Sequence, residues 1–278
     1  MTHTTIVSTA QLEENLAAWR VFDCRHDLMK PERGEQQYRE AHIPGAAFAH
    51  LDRDLSASRD GRGGRHPLPY PGDFLAWVGR QGLRPGDQVV CYDAGGGVTA
   101  ARLWWMLRWI GHDAVAVLEG GFAKWTAEGR PTSTQVPHFA PQSYPMRLRA
   151  DMAVGVGVLE KSRDEHVLVD ARAPARFAGL QEPIDPVAGH IPGAANRFCN
   201  DNLTPQGTFK PAGVLRADFE AVLGGRRPEE VIHYCGSGVS ACHNVLAMEV
   251  AGLPGTRLYA GSWSDWISDP QRPVGRGR

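Results

Sequence analysis

What the chain lacks narrows it first. Neither sign of charge dominates: 30 Lys and Arg stand against 31 Asp and Glu, a net charge of −1. A polyanionic partner needs a cationic excess, so nucleic acid is not expected. No apolar run approaches the about 18 residues of a membrane span. The opening Met-Thr-His-Thr-Thr-Ile-Val-Ser has neither the basic start nor the apolar core of a secretion signal. Cysteine is scarce, with five residues at 24, 91, 199, 235 and 242, odd in number and scattered. This argues against a disulfide scaffold and for reduced thiols, so a cytoplasmic protein without membrane partners is expected.

What is present is an ordinary globular composition, 42% hydrophobic and 22% charged, with eight tryptophans to fill cores. At 278 residues the chain is too long for most single cores, and two domains of about 130–150 residues are expected. The sequence in fact repeats itself. Val21-Phe-Asp-Cys-Arg25 answers Leu168-Val-Asp-Ala-Arg172, and Ala41-His-Ile-Pro-Gly-Ala46 answers Gly189-His-Ile-Pro-Gly-Ala194. Val89-Val-Cys-Tyr-Asp93 answers Val231-Ile-His-Tyr-Cys235, and Leu118-Glu-Gly-Gly-Phe122 answers Leu258-Tyr-Ala-Gly-Ser-Trp263. Four matches in one order mark a duplicated domain, residues 1–129 and 148–278. The proline-rich connector over 130–147 is unsuited to a helix.

Each copy alternates short apolar strands with helical runs, which indicates an α/β fold with a mainly parallel sheet. Helices are expected over Thr9–Ala18, Gly72–Gly82 and Thr99–Gly111, and again over Met152–Lys161, Pro211–Leu223 and Ala241–Gly252. The charged stretch before each His-Ile-Pro-Gly-Ala turn reads as irregular. Asp23/Arg25 and Asp170/Arg172 recur in both copies and read as structural ion pairs.

The stretch Cys235-Gly-Ser-Gly-Val-Ser240 follows a strand and feeds a helix, where ligands of open parallel sheets gather. Backbone N–H groups of Gly236 to Ser240 can curl into an anion nest, helped by the helix terminus. Hydrogen bonds to a charged acceptor contribute roughly 1.5–3 kcal/mol each, more than a helix dipole at roughly 0.3–1 kcal/mol. Together they would draw a thiol down from about 8.5 toward neutrality. An exposed loop carrying a reactive Cys235 is therefore expected. The first copy has Asp93 at that position, with a loop one residue longer, and Cys91 turns into the core. That half carries no sulfur chemistry and serves to lend side chains.

These motifs, over essentially the whole length, resemble a tandem-domain rhodanese-type sulfurtransferase. The resemblance implies that Cys235 carries a sulfane sulfur as a persulfide and passes it to a thiol, cyanide or thioredoxin-like acceptor, with no metal or organic cofactor. Thiosulfate-preferring members resemble Cys-Arg-Lys-Gly in this loop, whereas here Gly236 and Ser237 are uncharged. The loop is similar to that of 3-mercaptopyruvate sulfurtransferases, which implies a relay of Ser237 and Asp52 with Cys235 and places His66 at the cleft. Gly236, Gly238, Val239 and Ser240 complete the sulfur cradle. Arg176 matches a substrate arginine. A second, expected in a Glu-Pro-Arg context, is absent because the chain reads Glu182-Pro-Ile184; Arg197 either compensates or forms a salt bridge at the domain seam.

Four other readings compete. Thiosulfate:cyanide transfer and a persulfide carrier for a protein partner share the same cysteine. A Cys-x5-Arg phosphatase needs an arginine where Ala241 stands. A zinc site from His233, Cys235, Cys242 and His243 lacks the paired-knuckle spacing.

Overall fold

The computed structural model describes residues 2–277. Two compact units form: Met1–Ala57 with Pro69–Arg149 and Pro205–Phe209, and Ser58–Leu68 with Ala150–Thr204 and Lys210–Arg278. The first contains β1 (Ile6–Val7), α1 (Thr9–Asn15), β2 (Arg20–Asp23), α2 (Glu32–Glu40), β3 (Ala47–Phe48), α3 (Pro71–Arg80), β4 (Val89–Tyr92), α4 (Val98–Trp109), β5 (Val115–Leu118) and α5 (Gly121–Ala127). Its sheet runs β1-β5-β4-β2-β3, all parallel. The second contains α6 (Val156–Ser162), β6 (Val167–Asp170), α7 (Pro174–Phe177), β7 (Ala195–Asn196), α8 (Ala212–Leu223), β8 (Val231–Tyr234), α9 (Ser240–Val250), β9 (Arg257–Leu258) and α10 (Ser262–Trp266). Its sheet runs β7-β6-β8-β9, again parallel. Ala153 bridges Leu258 in the place that β1 takes in the first unit.

The central strands are apolar without alternation because both faces are covered. Every residue of β4 and β8 is buried. The helices that follow them, α4 and α9, are buried around their circumference from Ala100 to Leu107 and from Ala241 to Met248, as expected of core helices. Local chemistry sets the ends. Ser8 and Gln11 make a capping box at α1, and Gly224 closes α8 in the left-handed region. Helix α1 stops at Asn15, short of the expected Ala18.

The repeated motifs are scaffold in both units. Asp23 takes Arg25 through three guanidinium contacts and one backbone contact, the closest at 2.6 Å, and Arg25 also reaches the Ala41 carbonyl at 2.6 Å. Asp170, Arg172 and the Gly189 carbonyl repeat this at 2.6 and 2.7 Å. The turn histidines stack on an aromatic ring, His42 on Tyr38 at 4.1 Å and His190 on Phe177 at 3.8 Å. Those rings stand on α2 and α7, so the stretches read as irregular contain a helix. In α2 one aromatic, Tyr38, packs inward among charged residues, and α7 is a single turn with Phe177 packed inward, weak signals at these lengths. The connector runs extended against the first unit: Ser133 pairs with His42, and Phe139 lies under Arg20 at 3.9 Å.

Candidate active site

Strand β8 ends by delivering Cys235 onto a loop fixed through four backbone groups. The Cys235 N–H donates to Ser262 Oγ at 3.1 Å, and Ser262 Oγ–H in turn donates to the Tyr259 carbonyl at 2.9 Å. The Cys235 and Gly236 carbonyls accept N–H groups of Trp263 and Ser264 at 2.9 and 3.0 Å. The Gly238 N–H, at φ 78°, donates to Cys235 Sγ at 3.1 Å. No other residue fits at 238, since a Cβ there would lie 2.3 Å from the Ala260 carbonyl oxygen.

The exposed loop expected from the sequence is not what forms. Cys235 is 2% exposed, and Ser237 and Val239 are buried with it. The backbone donors of Trp263 and Ser264 pull the loop inward, an effect of residues far along the chain. Yet the surroundings are charged, not apolar. A Cβ on Gly236 would meet Arg65 Nη2 at 2.9 Å and the Arg176 guanidinium nitrogens at 3.5 and 3.7 Å. Burial pushes the Cys24 thiol well above its usual range and that of Cys199 up to about 12.

The two guanidiniums are held by carboxylates. Arg176 Nη2 donates to Glu182 Oε1 at 2.7 Å and to Asp185 Oδ2 at 3.0 Å, while Arg65 Nη1 pairs with Asp185 Oδ1. Glu182 also accepts the Ile184 and Asp185 amides at 3.2 and 3.1 Å and pairs with Arg172 at 3.3 Å. Burial would raise the Glu182 carboxyl, but Arg176 and these amides outweigh it and hold it below the usual carboxylate range. For Asp185 burial wins against Arg65 and Arg176, and its carboxyl is raised. Burial likewise lowers Arg65, against the pull of Asp185 and Cys235.

Ser237 Oγ lies 2.7 Å from His66 Nδ1, with both side chains buried. Cys235, Gly236, Ser237, Gly238, His66 and Arg176 therefore come together in the second unit. Val239 precedes α9 as its cap residue, and Ser240 begins that helix. Asp52 belongs to the first unit, where its N–H donates to His50 Nδ1 at 3.1 Å. Arg197 forms a salt bridge within the second unit, to Asp218 at 3.0 Å, and lies over the Phe219 ring. The zinc candidates take separate partners. His233 Nε2 faces Met248 Sδ at 3.2 Å, His243 Nδ1 faces Asn202 at 3.1 Å, and Cys242 donates to the Gly238 carbonyl at 3.2 Å. Ala241 is fully buried where a phosphatase would need its arginine.

A rhodanese-like domain matches twice, at residues 8–128 and 157–269. The chain belongs to the rhodanese family and is a sulfurtransferase. It is 48% identical over 261 residues to a probable 3-mercaptopyruvate sulfurtransferase of Pseudomonas aeruginosa, covering 92% of each chain. It is 40% identical over 265 residues to a putative thiosulfate sulfurtransferase of Mycobacterium tuberculosis, covering 92% of this chain and 90% of that one. The solved 3-mercaptopyruvate sulfurtransferase from Leishmania major superposes with a TM-score of 0.86 at 30% identity, over 97% of this chain and 75% of that one.

The first rhodanese repeat shows what the loop is built to hold. Asp93 replaces the cysteine, and its carboxylate accepts the N–H groups of Gly95, Gly97 and Thr99 at 3.0, 3.0 and 2.9 Å, with Ala100 at 3.4 Å and Thr99 Oγ1 at 3.2 Å. This is an anion nest, filled permanently by a side chain. Burial still raises the Asp93 carboxyl, and the amides of Gly97, Ala100, Thr99 and Gly95 oppose it.

Two site residues have no motif of their own. Arg65 is placed by Gly63 and its own amide, which donate to Asp265 and Ser264 at 3.0 Å each. Its signal was adjacency to His66 and the glycines before it. Ser262 holds φ 57°, alone among the described non-glycine residues in that region. Its signal was alignment with Gly121, which holds φ 56° at the same place in the first repeat.

Proposed function

We propose that this rhodanese-family protein moves a sulfane sulfur from 3-mercaptopyruvate to a thiol or cyanide acceptor through a persulfide on Cys235. The observation that carries the reading is the Cys235 sulfur, under the Gly238 amide, beside the Arg65–Arg176 pair. In the first step the Cys235 thiolate attacks the donor sulfur. A sulfur–sulfur bond forms, the donor carbon–sulfur bond breaks, and its electron pair leaves as the pyruvate enolate. The Ser237–His66 pair, joined at 2.7 Å, is suited to carry the proton that this enolate takes up. In the second step the acceptor attacks the outer sulfur, and the Cys235 thiolate departs. Splitting one transfer in two is the gain of covalent catalysis. Asp52 enters the relay by resemblance alone.

Donor choice follows from charge and shape. A guanidinium pair matches a carboxylate in a bidentate way, and both cations come from outside the loop. Gly236 leaves them room, because any side chain there would press on Arg65 and Arg176. The uncharged Gly236 and Ser237 offer nothing further to a dianion, which favours mercaptopyruvate over thiosulfate. The test is the ratio of kcat/KM on the two donors for wild type and Ser237→Lys. A shift of the ratio toward thiosulfate is expected; an unchanged ratio overturns the charge argument.

A further inference from the structure

Three guanidiniums, those of Arg65, Arg172 and Arg176, meet three carboxylates, those of Asp170, Glu182 and Asp185, next to the sulfur loop. The cluster is formally neutral. Five of its members have evident work in the scaffold or the site: Asp170 and Arg172 are the repeated ion pair, Glu182 caps its own turn and fixes Arg176, and the two remaining arginines face Gly236. Asp185 is different. Its two oxygens are shared between those arginines, Oδ1 with Arg65 and Oδ2 with Arg176, and its side chain is 3% exposed. In the first repeat the Asp23–Arg25 pair closes instead on the Ala41 carbonyl.

The geometry points to Asp185 as the residue that sets donor charge: by neutralising Arg65 and Arg176 it makes the site accept a donor with one carboxylate in preference to dianionic thiosulfate. This rests on the sulfur-transfer reading given above. An incoming carboxylate competes with Asp185 for the same N–H donors and can share the fork with it. A dianion brings a second charge into a field already cancelled, at a separation of a few ångströms where the effective dielectric is far below that of water. Removing the Asp185 charge while keeping its shape leaves the pair with an unbalanced positive charge beside Cys235.

The experiment compares wild type, Asp185→Asn and Asp185→Glu. The ratio of kcat/KM on thiosulfate to that on 3-mercaptopyruvate is expected to rise about tenfold in Asp185→Asn and to stay near wild type in Asp185→Glu. A ratio that stays flat while both activities fall together marks Asp185 as a mere support for the arginines and overturns the inference. A second readout does not depend on turnover: the rate of Cys235 alkylation by anionic iodoacetate relative to neutral iodoacetamide, followed by peptide mass. That relative rate is expected to rise about fivefold in Asp185→Asn, and no rise overturns the inference. If wild type takes sulfur from neither donor, the functional reading fails, and the alkylation ratio still decides whether Asp185 controls the local charge. Should Asp185→Asn not fold, Asp185→Ser carries the same expectations.

Discussion

The loop after β4 and the loop after β8 start from one frame and end with different occupants. In both, a buried strand enters, a residue in the left-handed region at 121 or 262 turns the last segment back, and the next two amides bind the loop carbonyls at 2.8 and 3.0 Å or 2.9 and 3.0 Å. In the first, the loop amides close on the Asp93 carboxylate. In the second, the same place holds Cys235 Sγ, with the Gly238 amide on it and two arginines nearby. The difference teaches that one loop frame serves two occupants: in the first copy its amides are taken up by a carboxylate, and in the second a thiol stands at the same place.

The comparison breaks most sharply at the occupants. Asp93→Ala strips the acceptor from several buried N–H groups, each costing about 1–3 kcal/mol when unsatisfied, so a loss of at least about 3 kcal/mol is expected in denaturant unfolding. Cys235→Ala is expected to leave stability within about 1 kcal/mol, because the sulfur accepts a weaker hydrogen bond, while abolishing turnover. Equal destabilisation by the two would show that the loops do not differ in this way.

The turning residue gives a smaller contrast. A Cβ on Gly121 would lie 2.6 Å from the Asp93 carbonyl oxygen, so Gly121→Ser is expected to cost about 1–3 kcal/mol. Ser262→Gly relieves a strained φ worth about 1–2 kcal/mol and forfeits the two hydrogen bonds of its hydroxyl, about 1 kcal/mol each. Its melting temperature is expected to stay near wild type. A large fall in melting temperature for Ser262→Gly would mean that the hydroxyl on the Cys235 amide outweighs the strain.

The smallest effect concerns the strand itself. His233 stands where the first repeat has Cys91, and burial pushes its pKa down to about 3. A histidine depressed in the folded state stabilises fully above its unfolded value near 6.5, and that contribution fades as pH falls from there toward 3. His233→Cys, which copies the first repeat, is expected to flatten the stability profile below pH about 6.5. An unchanged slope of unfolding free energy against pH would contradict this.

Much of this was legible because the chain is written twice. The repeats exposed both domains, the ion pairs and the odd residue at 235 without any coordinates. Cys91 was read correctly as core from strand position alone, and it is fully buried. What failed depends on long-range packing. The loop was expected to be open because glycine and serine line it, but donors from Trp263 and Ser264 close it. Arg65 stayed hidden because nothing local states where a side chain on an irregular Gly-rich segment points. Asp185 stayed hidden because its meaning lies in being shared by Arg176 and the sequence-distant Arg65. Helix α2 was missed because charged faces obscured its single inward aromatic, Tyr38.

The most direct test is the intact mass of the protein after incubation with 3-mercaptopyruvate and removal of the donor. The account expects wild type to gain one sulfur atom, located on Cys235 by peptide mass and lost on adding cyanide, and Cys235→Ser to gain none. A wild-type protein that turns over with no added sulfur, or a Cys235→Ser variant that still acquires one, would contradict it.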